Sequence, residues 1–278
     1  MTYREMGMRI GFFDSGIGGL TVLAEALALM PQAQCLYFAD TASVPYGNKP
    51  REVVRDCVFK GVAFLADQGI EALVVACNTA TAVAIEDLRQ RYGFPIIGME
   101  PAVKPALAAL KAPLPGAETS GQRVLVLATD MTLREAKFQH LVHRIDDEAR
   151  VDYLSLQGLV AWAEAFEFAP EPIAAYLAQA TAHLDLARAG VVVLGCTHFP
   201  YYRPHLRRLF PPGTRFVDGN RGTVNNLCAH LALDPNGTPE PGGVSYFESS
   251  QAADPARFNR YLRYYAGLEK GQVLADQA

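Results

Sequence analysis

Two apolar runs in this chain end in a cysteine followed closely by threonine: ALVVACNTAT over residues 72–81 and GVVVLGCTHFP over residues 190–200. A thiol at the end of a buried strand has several uses. It can pack, form half of a disulfide, bind a metal, act as a nucleophile or carry a proton. The chain holds five cysteines, Cys35, Cys57, Cys77, Cys196 and Cys228, with no C-x-x-C spacing. An odd number, scattered in sequence, gives no disulfide framework and no structural zinc site. Cys35, Cys57 and Cys228 read as small buried hydrophobes. His198, two residues past Cys196, invites a metal reading or a Cys–His hydrolase reading. The first lacks further ligands; the second leaves Cys77 unexplained.

A pair of equivalent thiols suits a different chemistry. Removing a hydrogen from a carbon on one face and returning a proton on the other requires one base and one acid across a planar carbanion. In the reverse direction each group takes the other role. A free thiol titrates near 8.5, within reach of neutral pH from either side, and two thiols sharing one site would titrate as a coupled pair. Cys77 stands just before a predicted helix, where the N-terminus favours thiolate, and Asn78 and Thr79 follow as capping residues. Asp14 is placed to assist Cys77, and His198 to assist Cys196. If the chain stays extended past Cys196, the sulfur and the imidazole share one face. Backbone N–H groups and a water-excluding cleft would stabilise the carbanion. Pyridoxal phosphate does similar chemistry, but no phosphate motif with a partner lysine is present. The expectation is a site with no cofactor and no metal.

The elements that must position these groups read as α/β with mostly parallel strands. Strands are predicted at Arg9–Phe13, Cys35–Ala39, Ala72–Ala76, Pro95–Gly98, Arg123–Ala128, Val151–Ser155, Val191–Leu194 and Thr214–Val217. Helical periods fall near 20–29, 50–67, 79–91, 101–111, 132–143, 171–188 and 203–209. A Pro/Gly/Ser-rich linker, Lys111–Gln122, divides the chain. On either side of it, RIGFFDSG matches RVLVLATD, setting Ser15 against Thr129, and the two cysteine segments match each other. The repeat predicts two pseudo-symmetric α/β lobes with the site between them. Ligands bind at the carboxyl ends of such strands, where Asp14-Ser15, Cys77-Asn78-Thr79, Thr129 and Cys196-Thr197-His198 fall. DSGIGG over residues 14–19 has part of a dinucleotide fingerprint, with Asp40 ending the next strand. Its third glycine position is Thr21, however, and Asp14 would repel a pyrophosphate. The plainer reading is a tight strand-to-helix turn with N–H groups free for a carboxylate. SVPYGNK over residues 43–49 is a loop at the same cleft edge.

Bulk properties exclude several classes. The 278 residues are 50% hydrophobic, enough for one large or two ordinary cores. A net charge of −4 and a pI near 5.9 carry no nucleic-acid footprint. The start of the chain lacks an apolar signal core, and no apolar run reaches the roughly 18 residues of a membrane span. A soluble, cytoplasmic protein with no membrane partner is expected.

Five segments in order, GFFDSGIGGLTVL, YFADTASVPYGNK, VVACNTATAVAIEDLR, PIIGMEPAVKPA and VVVLGCTHFPYYRPHL, resemble the glutamate racemases of the aspartate/glutamate racemase superfamily. The resemblance runs from Arg9 to about Asp218 and weakly through VSYFESS. It implies cofactor-independent interconversion of L- and D-glutamate, supplying D-glutamate for peptidoglycan. It also implies two lobes, with 1–105 plus 218–278 forming the first and 106–217 the second. On its terms Cys77 acts on D-glutamate and Cys196 on L-glutamate, assisted by Asp14, Glu164 and His198. Asp14, Ser15, Pro45, Tyr46, Gly47, Asn78, Thr79, Thr129, Thr132, Thr197 and His198 would contact substrate. A homodimer is implied, and the PAVKPA run resembles the branch activated by a muramyl-peptide precursor. Two departures stand out: Glu135 and Phe138 replace a usual serine and tyrosine, and Glu100 replaces an apolar residue. Aspartate racemases usually carry a carboxylate after the second Cys-Thr, so His198 favours glutamate. A non-catalytic amino-acid-binding protein would need neither cysteine.

Overall fold

The computed structural model describes residues 8–112, 121–146, 149–231 and 242–270. Most of the Lys111–Gln122 linker lies outside them. Two sheets account for the strands. Arg9–Asp14 (β1), Gln34–Ala39 (β2), Ala72–Val75 (β3) and Ile96–Gly98 (β4) form the first, and Arg123–Ala128 (β5), Val151–Ser155 (β6), Ala189–Leu194 (β7) and Arg215–Asp218 (β8) form the second. The spatial orders are β2-β1-β3-β4 and β6-β5-β7-β8, all parallel. Each half therefore runs second-first-third-fourth, and the repeat seen in sequence is a repeat of topology.

In this order the chain leaves the first strand in opposite directions to reach the second and the third. The gap between the first and third strands is the switch point where such sheets bind ligands. Asp14 ends β1 and Cys77 follows β3; Thr129 and Cys196 follow β5 and β7. Every residue of β3 and β7 is buried, as expected of parallel strands covered on both faces.

Helices Leu20–Leu29 (α1), Arg51–Asp67 (α2), Asn78–Arg91 (α3) and Val103–Lys111 (α4) follow the four strands of the first half in turn. In the second half the period read as one helix over 132–143 is two, Asp130–Arg134 (α5) and Ala136–Ile145 (α6), because Glu135 is extended at φ −66°, ψ 130°. The sequence reading overlooked the short Gly158–Glu164 (α7), which has no side-chain cap. The period over 171–188 stops at Thr181, giving Pro170–Thr181 (α8), with a separate turn at Leu186–Arg188. Arg203–Arg207 (α9) and Asn220–Leu231 (α10) follow.

Val244–Glu248 (β9) then pairs in parallel with β2, and Gln251–Ala252 (β10) pairs antiparallel with β9, so the chain's last strands extend the first sheet. Pro255–Glu269 (α11) starts at an Asp254 cap with proline at its first turn. One continuous core joins the two halves, from Phe12 and Val74 of the first sheet to Leu127 and Val192 of the second, and on to Phe258 and Tyr261 of α11. The opposite faces have cores of their own, around Phe13 and Val75 under α2 and α3 and around Val126 and Val193 under α4 and α6. No described helix is long and apolar enough to cross a membrane.

Candidate active site

Cys77 sits where β3 gives way to α3. Its backbone is extended (φ −67°, ψ 120°), and its Sγ takes the place of an N-capping oxygen, accepting from the Ala80 N–H at 3.4 Å. The Ser15 hydroxyl lies 3.5 Å from the same sulfur. The thiol is buried, and burial pushes its pKa up to about 12. The charge of Asp14 adds to the rise, while the Ala80 N–H and Ser15 oppose it. The lowering expected of a helix N-terminus is present but outweighed, because desolvating a thiolate costs more than one weak N–H···S contact returns. The charge of Cys196 adds a last, small contribution to the rise.

At Cys196 the chain does not stay extended. Gly195 donates to Leu127 O, the Phe199 N–H turns back to Cys196 O, and His198 is helical (φ −79°, ψ −25°). The turn still brings His198 Nδ1 to 3.5 Å from Cys196 Sγ. Its other nitrogen, Nε2, lies 2.8 Å from Glu164 Oε1 at the end of α7. Burial disfavours charge on the imidazole, yet Cys196 and Glu164 outweigh it and hold the pKa well above the ordinary histidine value. Both ring nitrogens then carry protons, one directed at the sulfur and one at the carboxylate.

Asp14 is fully buried. Its Oδ1 accepts from the Gly16 N–H at 3.0 Å, and its Oδ2 accepts from the Thr197 hydroxyl at 3.1 Å. It thus reaches the opposite half, and Ser15, its neighbour, touches Cys77. Burial raises the Asp14 pKa to about 6, against the pull of His198.

The glycines of DSGIGG have a tertiary explanation. A Cβ on Gly16 would fall 1.7 Å from Glu164 Oε1, and one on Gly18 would fall 2.4 Å from Thr197 Oγ1 and 2.6 Å from His198 Nδ1. The loop packs its backbone against side chains of the second half, and the Ile17 N–H donates to Glu164 Oε1 at 2.9 Å.

Across the same boundary Thr79, Thr129 and Thr132 form a buried triangle of hydroxyls with oxygen separations of 2.9, 3.0 and 3.0 Å. Asn78 is buried with its Oδ1 unpartnered. Pro45 begins a turn over Tyr46–Asn48. The Tyr46 hydroxyl donates to Asp40 at 2.8 Å, so Asp40, the acidic residue of the partial dinucleotide fingerprint, holds a tyrosine.

All the residues expected at the site except Pro45, Gly47 and Glu164 are buried outright, and the structure brings them to the carboxyl ends of the two sheets. Three supporting residues had no signal in sequence. The Tyr37 hydroxyl donates to Gly16 O at 2.7 Å. The Tyr261 hydroxyl lies 2.9 Å from the carbonyls of both Ala163 and Glu164. Arg257 Nη2 stands 3.9 Å from Glu164 Oε2. Both departures also have places: Glu135 pairs with Arg51 and Glu100 with Lys137, while Phe138 is buried against Tyr153. Among the described residues no group of three or more His, Cys, Asp or Glu is arranged to hold a metal.

Two like parallel α/β halves joined by one core, each with a thiol and polar partners just past its third strand, define a two-lobed α/β protein. Residues 21–227 match the model of the Asp/Glu/Hydantoin racemase family, and the chain belongs to that family. It is 49% identical over 256 residues to a glutamate racemase of Halothermothrix orenii, covering 92% of this chain and 98% of that one. It is 43% identical over 266 residues to glutamate racemase 2 of Bacillus subtilis, covering 95% and 98%. Among solved structures, the Escherichia coli glutamate racemase in complex with L-glutamate and the activator UDP-MurNAc-Ala superposes with a TM-score of 0.77 at 27% identity, covering 93% of this chain and 95% of that one.

Proposed function

We infer that the protein interconverts L- and D-glutamate without a cofactor, and so supplies D-glutamate for peptidoglycan. The observation that carries this reading is the pair of buried thiols at equivalent strand ends of the two halves. The likeness to glutamate racemases over nearly the whole chain gives the substrate.

In the proposed reaction one sulfur, as thiolate, takes the α-proton, and the C–H electron pair passes to the α-carbon and its carboxylate. The other sulfur, as thiol, gives its proton to the opposite face. No atom is gained or lost, and the enzyme ends with the roles of the sulfurs exchanged. Cys77 serves D-glutamate and Cys196 serves L-glutamate. His198, held protonated by Glu164, steadies charge on the Cys196 side. Asp14, with a pKa near 6, can hold or release a proton beside the substrate's ammonium group. Ser15, the Pro45-Tyr46-Gly47 turn, Asn78, Thr79, Thr129, Thr132 and Thr197 supply neutral donors and acceptors for the two carboxylates and the amine. The lobes are 1–105 with 218–278, and 106–217. A homodimer and a muramyl-peptide precursor as activator, the latter known for the E. coli relative, complete the reading, with the protein at work in the cytoplasm.

The test is exchange of the α-hydrogen in D2O, followed by NMR for each glutamate enantiomer, alongside circular dichroism for inversion. Exchange and inversion with both enantiomers are expected. Neither occurring with glutamate sinks the reading; exchange with aspartate alone moves the substrate.

A further inference from the structure

Gln157 took no part in the sequence reading. It lies at the carboxyl end of β6, the ligand side of the sheet, between the buried Leu156 and the first residue of α7. Its side chain crosses to the other half and covers Gly47. A Cβ on that glycine would fall 1.9 Å from Gln157 Oε1 and 2.9 Å from Nε2. Both amide atoms are buried, and neither has a hydrogen-bond partner in the protein. Among the described residues it is the side chain in which both the donor and the acceptor of an amide are left so.

Leaving a buried polar group unpaired is costly, and position 157 does not need the amide for its fold. It provides no side-chain cap to α7, and an apolar side chain of the same length would fill the same space. A buried amide kept without protein partners is explained when a ligand supplies them. Next to Gly47 is Tyr46, which belongs to the same buried cluster as Cys77. The amide therefore stands over the same side of the cleft as Cys77.

We propose that Gln157 is a substrate-binding residue, whose Nε2 donates a hydrogen bond to a carboxylate of the bound amino acid seated beside the Tyr46-Gly47 turn. This rests on the glutamate reading above. The choice of an amide fits the charges around it. With Asp14 and Glu164 already in the site, a neutral donor binds an anion without adding a further charge to be balanced. A donor to a charged acceptor contributes about 1.5–3 kcal/mol, which corresponds to roughly a 10- to 100-fold change in affinity.

The experiment compares wild type, Gln157→Leu and Gln157→Glu for KM and kcat in both directions and for D-glutamate binding by calorimetry. Melting curves confirm that each variant is folded. Gln157→Leu is expected to raise KM and Kd together by about 10-fold or more, with kcat within about 3-fold. Gln157→Glu, setting a carboxylate against a carboxylate, should raise them further. Wild-type KM and Kd in folded Gln157→Leu overturn the inference, as does a fall in kcat at unchanged KM. Should Gln157→Leu not fold, a folded Gln157→Glu that binds as tightly as wild type overturns it equally. Failure of the wild-type chain to act on glutamate is a separate result, and it strikes the racemase reading.

Discussion

The two cysteines stand at the ends of corresponding strands, yet their surroundings differ. On the Cys77 side the chain passes directly into a 14-residue helix, and the sulfur itself caps that helix. Its neighbours are a hydroxyl and a backbone N–H, both neutral. On the Cys196 side a turn replaces the helix start, and the space so freed is occupied by His198 backed by Glu164. Burial and the charge of Asp14 thus favour S–H at Cys77, while Cys196 stands beside the His198–Glu164 pair. A reaction that needs one acid and one base at rest is served by this asymmetry. The topology repeats; the loop chemistry after the third strand does not.

The strongest way to break the comparison is to remove either sulfur. Cys77→Ser and Cys196→Ser should each lower racemisation by about 10³-fold, within the range of a lost general acid–base group, without loss of fold by circular dichroism. Normal racemisation by either variant would overturn the two-base assignment. Next in size, His198→Asn should lower kcat by roughly 10²-fold and Ser15→Ala by less than about 10-fold. Only the former removes a charge. If the two variants were equally impaired, the arms would not differ in the way described.

Much of this was legible in the sequence. Cys77 and Cys196 stood out because each ends an apolar run, and the echo between the runs gave the pairing a meaning that neither had alone. The repeat predicted two like halves but not the order of strands within them. What the sequence did not carry lies in long-range contacts. Glu164 came only through resemblance, since its helix is seven residues long, with no side-chain cap, and its contact with Ile17 spans 147 residues. The glycines of DSGIGG read as a turn, although side chains from the other half are what exclude a Cβ there. The helix-lowered thiol expected at Cys77 is reversed by burial, a quantity no local pattern encodes.

Asp14 links the two sides and gives a third test. Its carboxyl moves from 3.8 to about 6 on burial, which costs the folded, ionised form roughly 3 kcal/mol. The folded state binds the proton more tightly than the unfolded one, so this group's contribution to stability is greatest below 3.8 and falls as pH rises toward 6. Asp14→Asn carries no such penalty. Its stability relative to wild type should therefore improve by about 1–3 kcal/mol between pH 4 and pH 7 in denaturant melts, while racemisation falls. A relative stability independent of pH would mean that Asp14 is not desolvated as described.

The smallest effect concerns how the halves are held on each side. Near Cys196 they are joined by buried bonds, Thr197 to Asp14 and the Ile17 N–H to Glu164, and by the shared core. Near the helix that Cys77 caps, the buried threonine triangle is flanked by exposed ion pairs: Arg51 with Glu135 at 3.4 Å, and Lys137 with Glu86 at 2.8 Å and Glu100 at 3.1 Å. Glutamate cannot reach buried thiols unless the halves part, and the side secured by solvent-screened charges parts at lower cost than the side secured by core. The ion pairs therefore favour the closed, substrate-holding form, each by no more than about 1 kcal/mol. Combining Arg51→Met with Lys137→Met should raise KM about 2- to 5-fold and weaken its dependence on added salt. Arg55→Met, which breaks the 2.7 Å pair with Asp87 between two helices of the same half, should leave KM unchanged. The pairs differ in whether they cross the cleft, so equal KM values for the two variants would show that the charges around the α3 side do not govern closure, and the opening side would have to be sought along the Glu164 contacts instead.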